Sequence, residues 1–474
     1  MLLRPTALLA LSTSLAPAAT PSAELYAPSV ADKVLSLANS STAPPTAWPE
    51  YTDAQTGEWV IKDESDWTSG FFPSSLYLLH ERFSVLCPQD SPGTDFLSLA
   101  RLWSSPLYFP SSPILSSWTH DVGFNSVPMM DELRLNPENS TAREALLSNA
   151  QVLAGRFSEV VGCTRSWDRG EGEFEVIIDN MFNLQLLVAA SSLSSNSTLL
   201  DMAVSHANKT RENHVRSDGS SFHVVDYSPT TGEVQWRGTA QGLANSSTWS
   251  RGQAWGVLGF SLMANATGDS SFLDTSRRMA DFFITNLPAS LGVSYWDFNA
   301  TIPPATLDTS ASTIAASALY LLSSLETSLG NETAASRWSD AASTLLGNVV
   351  QQGVAGWEGA SIVGNGTVNN KADPPNNSTG ITYGDTYYLQ AGNWALQLGL
   401  ANCSSDGAPA RGASPGALSS SLVGGAGNGS AASAGGGGSD GGGAGGSSGC
   451  ERTVATPLAV FGALAALAQV LIWA

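Results

Sequence analysis

The sequence predicts an all-α protein, an (α/α)6 barrel, on three observations. Amphipathic helical patterns alternate with more apolar ones along the chain. Each of six apolar segments opens with a cluster of polar and aromatic residues. Strand-period alternation of Val, Ile and Thr is scarce. The openings lie at 67–72, 120–124, 178–181, 249–255, 307–310 and 383–388. With Trp67, Asp121, Asp179, Trp249, Asp308 and Asp385 as markers, the steps are 54, 58, 70, 59 and 77 residues. Each step leaves room for one outer helix and its loops. Leu146, Ala150, Leu153 and Phe157 carry one outer pattern, and Trp338, Ala341, Leu345 and Val349 carry another. Six outer–inner hairpins close a ring, and parallel inner helices put all six openings at one mouth.

The chain ends are of a different character. Met1-Leu2-Leu3-Arg4-Pro5, an apolar run from Ala7 to Leu15 and then Ala16-Pro17-Ala18 have the pattern of a secretory signal over 1–19. N-glycosylation sequons at Asn39, Asn139, Asn196, Asn208, Asn265 and Asn331, among about a dozen, point to a eukaryotic secretory route. The barrel domain is expected over 20–403. Residues 404–449 are mostly Gly, Ser and Ala, a flexible linker with nothing to bury. Residues 450–474 join a polar spacer to an apolar tail with no basic residue after it, the pattern of a glycolipid-anchor signal. The expected location is extracellular, at the cell surface through that anchor or secreted. A monomer is expected.

Composition excludes some classes. The net charge of −20 leaves no Lys/Arg surplus for nucleic acid. Fourteen Trp, 16 Phe and 10 Tyr are too many aromatics for a disordered chain. If the tail leaves with Cys450, Cys87, Cys163 and Cys403 remain. One disulfide is expected among the three, with the pair open. No metal-ligand spacing occurs, so neither metal nor cofactor is expected.

Asp and Ser are favoured helix caps, so each Asp at an opening could serve only as a cap. Taken jointly the openings say more. Carboxylates, Trp, His and Arg accumulate at one end of the inner set. A sugar site needs aromatic faces for the ring, polar edges for hydroxyls and carboxylates for proton transfer.

The segments 177–184, 249–256, 222–242 and 120–124 resemble the unsaturated glucuronyl hydrolases, glycoside hydrolase family eighty-eight, and the likeness runs from about Trp67 to Trp394. The resemblance implies the barrel and the removal of a terminal 4,5-unsaturated glucuronic acid from lyase-generated oligosaccharides. It implies Asp179 as general acid/base and Asp121 as the second carboxylate. It implies that His223 and Gln241 contact substrate and the attacking water. Trp67, Trp167, Trp249 and Trp255 would line the pocket with Arg251 among them, and His120 would adjoin substrate. Three departures stand out: Ala240 sits where many relatives have His, Leu243 replaces an aromatic, and Thr386 is inserted in the sixth opening. All three bear on the leaving sugar. The alternatives are an unsaturated rhamnogalacturonyl hydrolase and a non-catalytic cell-surface carbohydrate-binding protein on the same barrel.

The substrate expected from that resemblance is an enol ether. Protonation at C4 places positive charge at C5, water adds there, and the hemiketal opens. One carboxyl gives the proton and takes one back from water. A neighbouring carboxylate and burial both push that acid toward its protonated form.

Overall fold

The computed structural model describes residues 20–40, 43–108, 119–300 and 305–403. The expected signal, linker and anchor segments fall outside them.

Six inner helices form the ring. They are α2 (Phe71–Glu81), the broken pair α4 (Val122–Asn125) and α5 (Val127–Leu135), α7 (Asn180–Ser194), α9 (Ser250–Thr267), α11 (Thr309–Ser328) and α13 (Thr382–Gln397). Each packs on the next, and α13 closes back on α2. The outer helices are α1 (Pro28–Ala38), α3 (Phe96–Tyr108), α6 (Ser140–Ala154), α8 (Ser197–Asn213), α10 (Ser270–Thr285) and α12 (Glu332–Val349). The inner helices are buried on nearly every face: all but three of the 20 residues of α11 are buried. The outer helices bury one stripe and leave the rest in water.

Three local differences from the sequence reading have simple causes. Phe157 does not continue α6; the helix stops at Ala154 before Gly155, and Phe157 lies in a two-residue strand. The second inner helix breaks at Ser126 because Pro128, in the first turn of α5, cannot donate into an unbroken ladder. Asp385 is not at the start of α13 but in its first turn, behind Ile381.

Close helix approach depends on glycine at two places. A Cβ on Gly259 of α9 would lie 2.6 Å from the Met181 backbone of α7, and one on Gly123 would lie 2.7 Å from Asn183 Cα. Interior glycines cost helix stability, roughly 1 kcal/mol each relative to alanine, and here permit the contact.

The two ends of the inner ring are built differently. At the N-terminal end Phe71, Phe124, Phe182, Trp255, Tyr383 and Tyr387 meet as an aromatic layer across the axis, with ring centroids 4.9–6.4 Å apart. At the C-terminal end Arg134 meets Glu81 at 2.7 Å, and Gln397 and Asn393 also donate to Glu81. N-terminal residues meet N-terminal and C-terminal meet C-terminal, so the inner helices are parallel.

The strands are short but well placed: β1 (Trp48–Thr52) pairs with β2 (Trp59–Lys62), and β3 (Phe157–Ser158) with β4 (Cys163–Thr164). β5 (Phe174–Ile177), β6 (Val224–Tyr227) and β7 (Val234–Gly238) form one antiparallel sheet at the mouth. Ile177 pairs with Val224, and Val224 with Gly238. β8 (Gly366–Asn369) and β9 (Asn376–Thr379) form a hairpin nearby.

A disulfide joins Cys87 to Cys403, tying the chain after α2 to the chain after α13. Cys163 is free and buried. Asn265 is buried within α9, so this sequon has no room for a glycan in the folded chain. Asn39, Asn196 and Asn331 are exposed.

Candidate active site

The three-stranded sheet assembles the site. Asp179 lies two residues after β5, His223 one residue before β6, and Thr239–Gln241 immediately after β7. Ladder bonds lock the three strand ends together: Ile178 N–H donates to His223 O at 3.0 Å, and His223 N–H to Gly238 O at 3.1 Å.

Asp179 occupies the cap position of α7, yet its side chain makes no capping bond. It is 8% exposed, and its Oδ2 has no hydrogen-bond partner. Burial pushes its carboxyl up to about 7; Arg251 opposes the rise and Asp121 adds to it. Both causes expected from the sequence operate, and burial is the larger.

His223 Nε2 lies 3.7 Å from Asp179 Oδ2. Its Nδ1 faces the backbone N–H groups of Ala240 and Gln241, each at 3.3 Å. Backbone N–H groups only donate, so Nδ1 accepts and the neutral ring carries its proton on Nε2. Burial holds the imidazole well below 6.5, with Arg251 acting in the same direction. His223 is therefore a neutral donor aimed toward the acid. The 3.7 Å gap and the two unpartnered atoms leave polar capacity for a third group.

Asp121 stands at the start of α4 and also makes no capping bond. It accepts from the Thr119 hydroxyl at 2.9 Å and lies 3.2 Å from His120 Nε2. His120 is fully buried, and its Nδ1 donates to Ser166 O at 2.9 Å. His120 thus stands behind Asp121. Asp121, Trp67, Thr119 and Asn125 line a cleft of about 360 Å³ with Lys62, Asp63 and Asp66.

The other two marker carboxylates are spent on the backbone. Asp308 Oδ1 accepts from Ser310 and Ala311 N–H groups, a true cap. Asp385 is also pushed up to about 7 by burial, but it accepts from Ile362 and Val363 N–H, both at 2.9 Å.

The aromatic residues divide. Trp249 lies on His223 at 4.5 Å, and Trp167 meets its edge at 6.0 Å. Trp67 packs on Tyr383 at 5.1 Å. Trp255 is fully buried in the aromatic layer beneath the mouth, so it is a floor and not an exposed wall.

Arg251 is not a free positive charge at the mouth. It is 1% exposed, and its Nη1 pairs with Asp308 Oδ2 at 2.9 Å. Its Nη2 donates to Gln241 Oε1 at 2.9 Å and to Val368 O at 2.8 Å. The guanidinium lies over the Trp249 and Tyr383 rings at 4.5 and 5.4 Å.

Two site residues escaped the sequence reading. Tyr383 is buried with an unpartnered hydroxyl. It begins the sixth opening and was overshadowed there by Asp385. Lys371, in the β8–β9 turn, is near enough for its charge to act on His223. No local pattern marks it, because only the hairpin brings it in. Among the described residues one trio has metal-donor spacing, Cys87, Asp90 and Cys403, and the disulfide consumes two of its members.

Several known proteins resemble this chain. An unsaturated glucuronyl hydrolase of Formosa agariphila is 34% identical over 339 residues, 69% of this chain and 79% of the relative. One from Bacillus sp. strain GL1 is 31% identical over 353 residues, 73% of this chain and 89% of the relative. The solved structure from Bacillus sp. GL1 aligns with a TM-score of 0.67 at 27% identity, covering 82% of this chain and 96% of that one. A heparin-specific unsaturated glucuronyl hydrolase aligns with a TM-score of 0.68 at 29% identity, covering 78% and 96%. No family model matches the chain.

Proposed function

The chain belongs to the unsaturated glucuronyl hydrolases, glycoside hydrolase family 88, and from that premise we propose which of its residues carry the reaction. It is a glycoside hydrolase that removes unsaturated glucuronic acid from oligosaccharides. In our assignment Asp179 is the general acid/base. Its carboxyl, held protonated by burial up to about pH 7, donates to C4 of the enol ether. Positive charge develops at C5, shared with the ring oxygen. Water adds at C5 as the Asp179 carboxylate takes its proton. The hemiketal then opens and releases the remaining sugar. No covalent glycosyl intermediate forms, unlike hydrolysis by a nucleophilic carboxylate.

His223 and Gln241 orient water and substrate beside Asp179, both as donors. The Asp121 carboxylate near the acid adds to the rise at Asp179 and so favours the proton there. Trp67, Trp167 and Trp249 supply ring faces. The observation that carries the assignment is the buried, unpartnered Asp179 Oδ2 facing the Nε2–H of a tautomer-locked His223.

Loss of alkene ultraviolet absorbance tests the substrate class, with unsaturated disaccharides from hyaluronan, chondroitin, gellan and pectin. Turnover of the glucuronyl substrates is expected. Turnover of the pectin product alone would assign the rhamnogalacturonyl activity. Loss on none would leave a binding protein.

We further propose a secreted, glycosylated enzyme held at the cell surface by a glycolipid. The Cys87–Cys403 disulfide supports an oxidising compartment. Release from cells by a phosphatidylinositol-cleaving phospholipase tests the anchor.

A further inference from the structure

We infer that Asp308, acting through Arg251, is a positioning residue that sets the orientation of the Gln241 amide. The inference rests on the role given to Gln241 above.

A guanidinium has donors and no acceptor, so the Gln241 atom facing Arg251 Nη2 at 2.9 Å must be the carbonyl oxygen. The amide NH2 is thereby turned away from Arg251 and left as a donor for the site. An unheld Gln amide presents either end. Arg251 itself has little freedom. Asp308 Oδ2 holds Nη1, the carbonyls of Thr367 and Val368 hold both Nη atoms from the β8 side, and Trp249 and Tyr383 flank the plane. The other Asp308 oxygen caps α11 and accepts from the Ser310 hydroxyl. One carboxylate therefore couples the start of α11 to α9, the β8 strand and the Gln241 loop. Both oxygens are in use, and an Asn has only one acceptor for the two tasks. Asp308→Asn must give up either the cap or the guanidinium.

The tight turn bearing Gln241 is held independently, by the Thr239 hydroxyl on Gly242 N–H at 2.7 Å and by Asp297 on Leu243 N–H at 2.8 Å. Losing the Asp308 contact should thus free the amide and leave the backbone turn in place.

The test is a double-mutant cycle on glucuronyl disaccharide turnover, with far-ultraviolet circular dichroism to confirm folding. Asp308→Asn is expected to lower kcat about ten- to a hundredfold, the scale of a misplaced catalytic contact, with KM little changed. Gln241→Ala should lower kcat similarly, and the double variant should be no worse than Gln241→Ala. Defects that multiply would overturn the inference while leaving Gln241 in the reaction. Full activity in Gln241→Ala would overturn it together with the role of Gln241. Should Asp308→Asn fail to fold, Arg251→Lys takes its place in the same cycle. It keeps the charge beside Asp308 but lacks the planar fork that reaches Gln241 at the same time.

Discussion

The two ends of the barrel axis each hold a carboxyl with a raised pKa, and only one is placed for chemistry. At the mouth burial pushes Asp179 up to about 7, and at the base it pushes Asp131 up to about 6. Both ends also have cavities with polar groups in their lining. The base cavity runs up the axis between all six inner helices, past Ser74, Asp131, Arg134, Gln185, Gln390 and Gln397. The difference lies in what the polar groups already touch. Asp131 accepts from the Ser74 hydroxyl and feels the charge of Arg134. Glu81 is shared by Arg134, Asn393 and Gln397. At the mouth Asp179 Oδ2, His223 Nε2 and the Tyr383 hydroxyl lack partners. At the base Gln185 Nε2 also lacks a partner, but the carboxyls there are engaged in holding helices together, whereas the Asp179 Oδ2 at the mouth is not. A raised pKa alone does not separate the two carboxyls, and hydrogen-bond satisfaction does.

The sharpest way to break this contrast is Asp179→Asn. Turnover of an unsaturated glucuronyl disaccharide should fall by about a hundred- to ten-thousandfold, the usual worth of a general acid/base. The circular dichroism spectrum should not change. Near wild-type turnover would remove Asp179 from the reaction.

Next comes the pH profile. Activity requires protonated Asp179, so it is expected to be high on the acid side and to fall as pH rises through about 7. The Asp121 charge contributes to that rise, so in Asp121→Asn the alkaline limb should move to lower pH, beside any loss of rate. An unmoved limb would show that the two carboxylates do not communicate.

Asp131→Asn probes the other end and should leave turnover unchanged. Its signature is in stability. A carboxyl held above its ordinary 3.8 binds its proton better in the folded chain than in the unfolded one. Its stabilising contribution is present at low pH and is lost as pH rises through about 6. A Tm series from pH 4 to pH 7 should therefore decline less steeply in Asp131→Asn than in the wild type. A large loss of turnover would place the base cavity in the reaction.

The smallest expected effect concerns charge. A chain of net charge −20 repels an anionic uronate at long range, and Arg251 is neutralised by Asp308. A modest rise in kcat/KM with salt, about twofold or less between low and physiological ionic strength, should appear in initial-rate assays. A steep fall would mean that Lys371, Lys62 and the helix N-termini project a positive field well beyond the pocket.

The barrel was legible because its signal is repeated. Six polar–aromatic openings on apolar helices, separated by amphipathic ones, leave few other ways to bury both sets of faces. The choice of Asp179 and Asp121 rests on the family resemblance; both residues head inner helices, as do Asp308 and Asp385 in or beside theirs. Tertiary contacts decided which of the four marker carboxylates remained available. Asp308 and Asp385 meet backbone N–H groups and are consumed, while Asp121 and Asp179 are not. Nothing in the local sequence around any of them distinguishes these fates. The meeting of Asp179 with His223 and Gln241 likewise depends on the register of three short strands, too brief to leave a periodic pattern. The fate of Arg251 depended on an aspartate 57 residues away. Periodicity records which face of an element is buried and so determines the architecture. The state of a polar atom depends on the one or two atoms opposite it, and those are supplied by distant segments only when the ring closes.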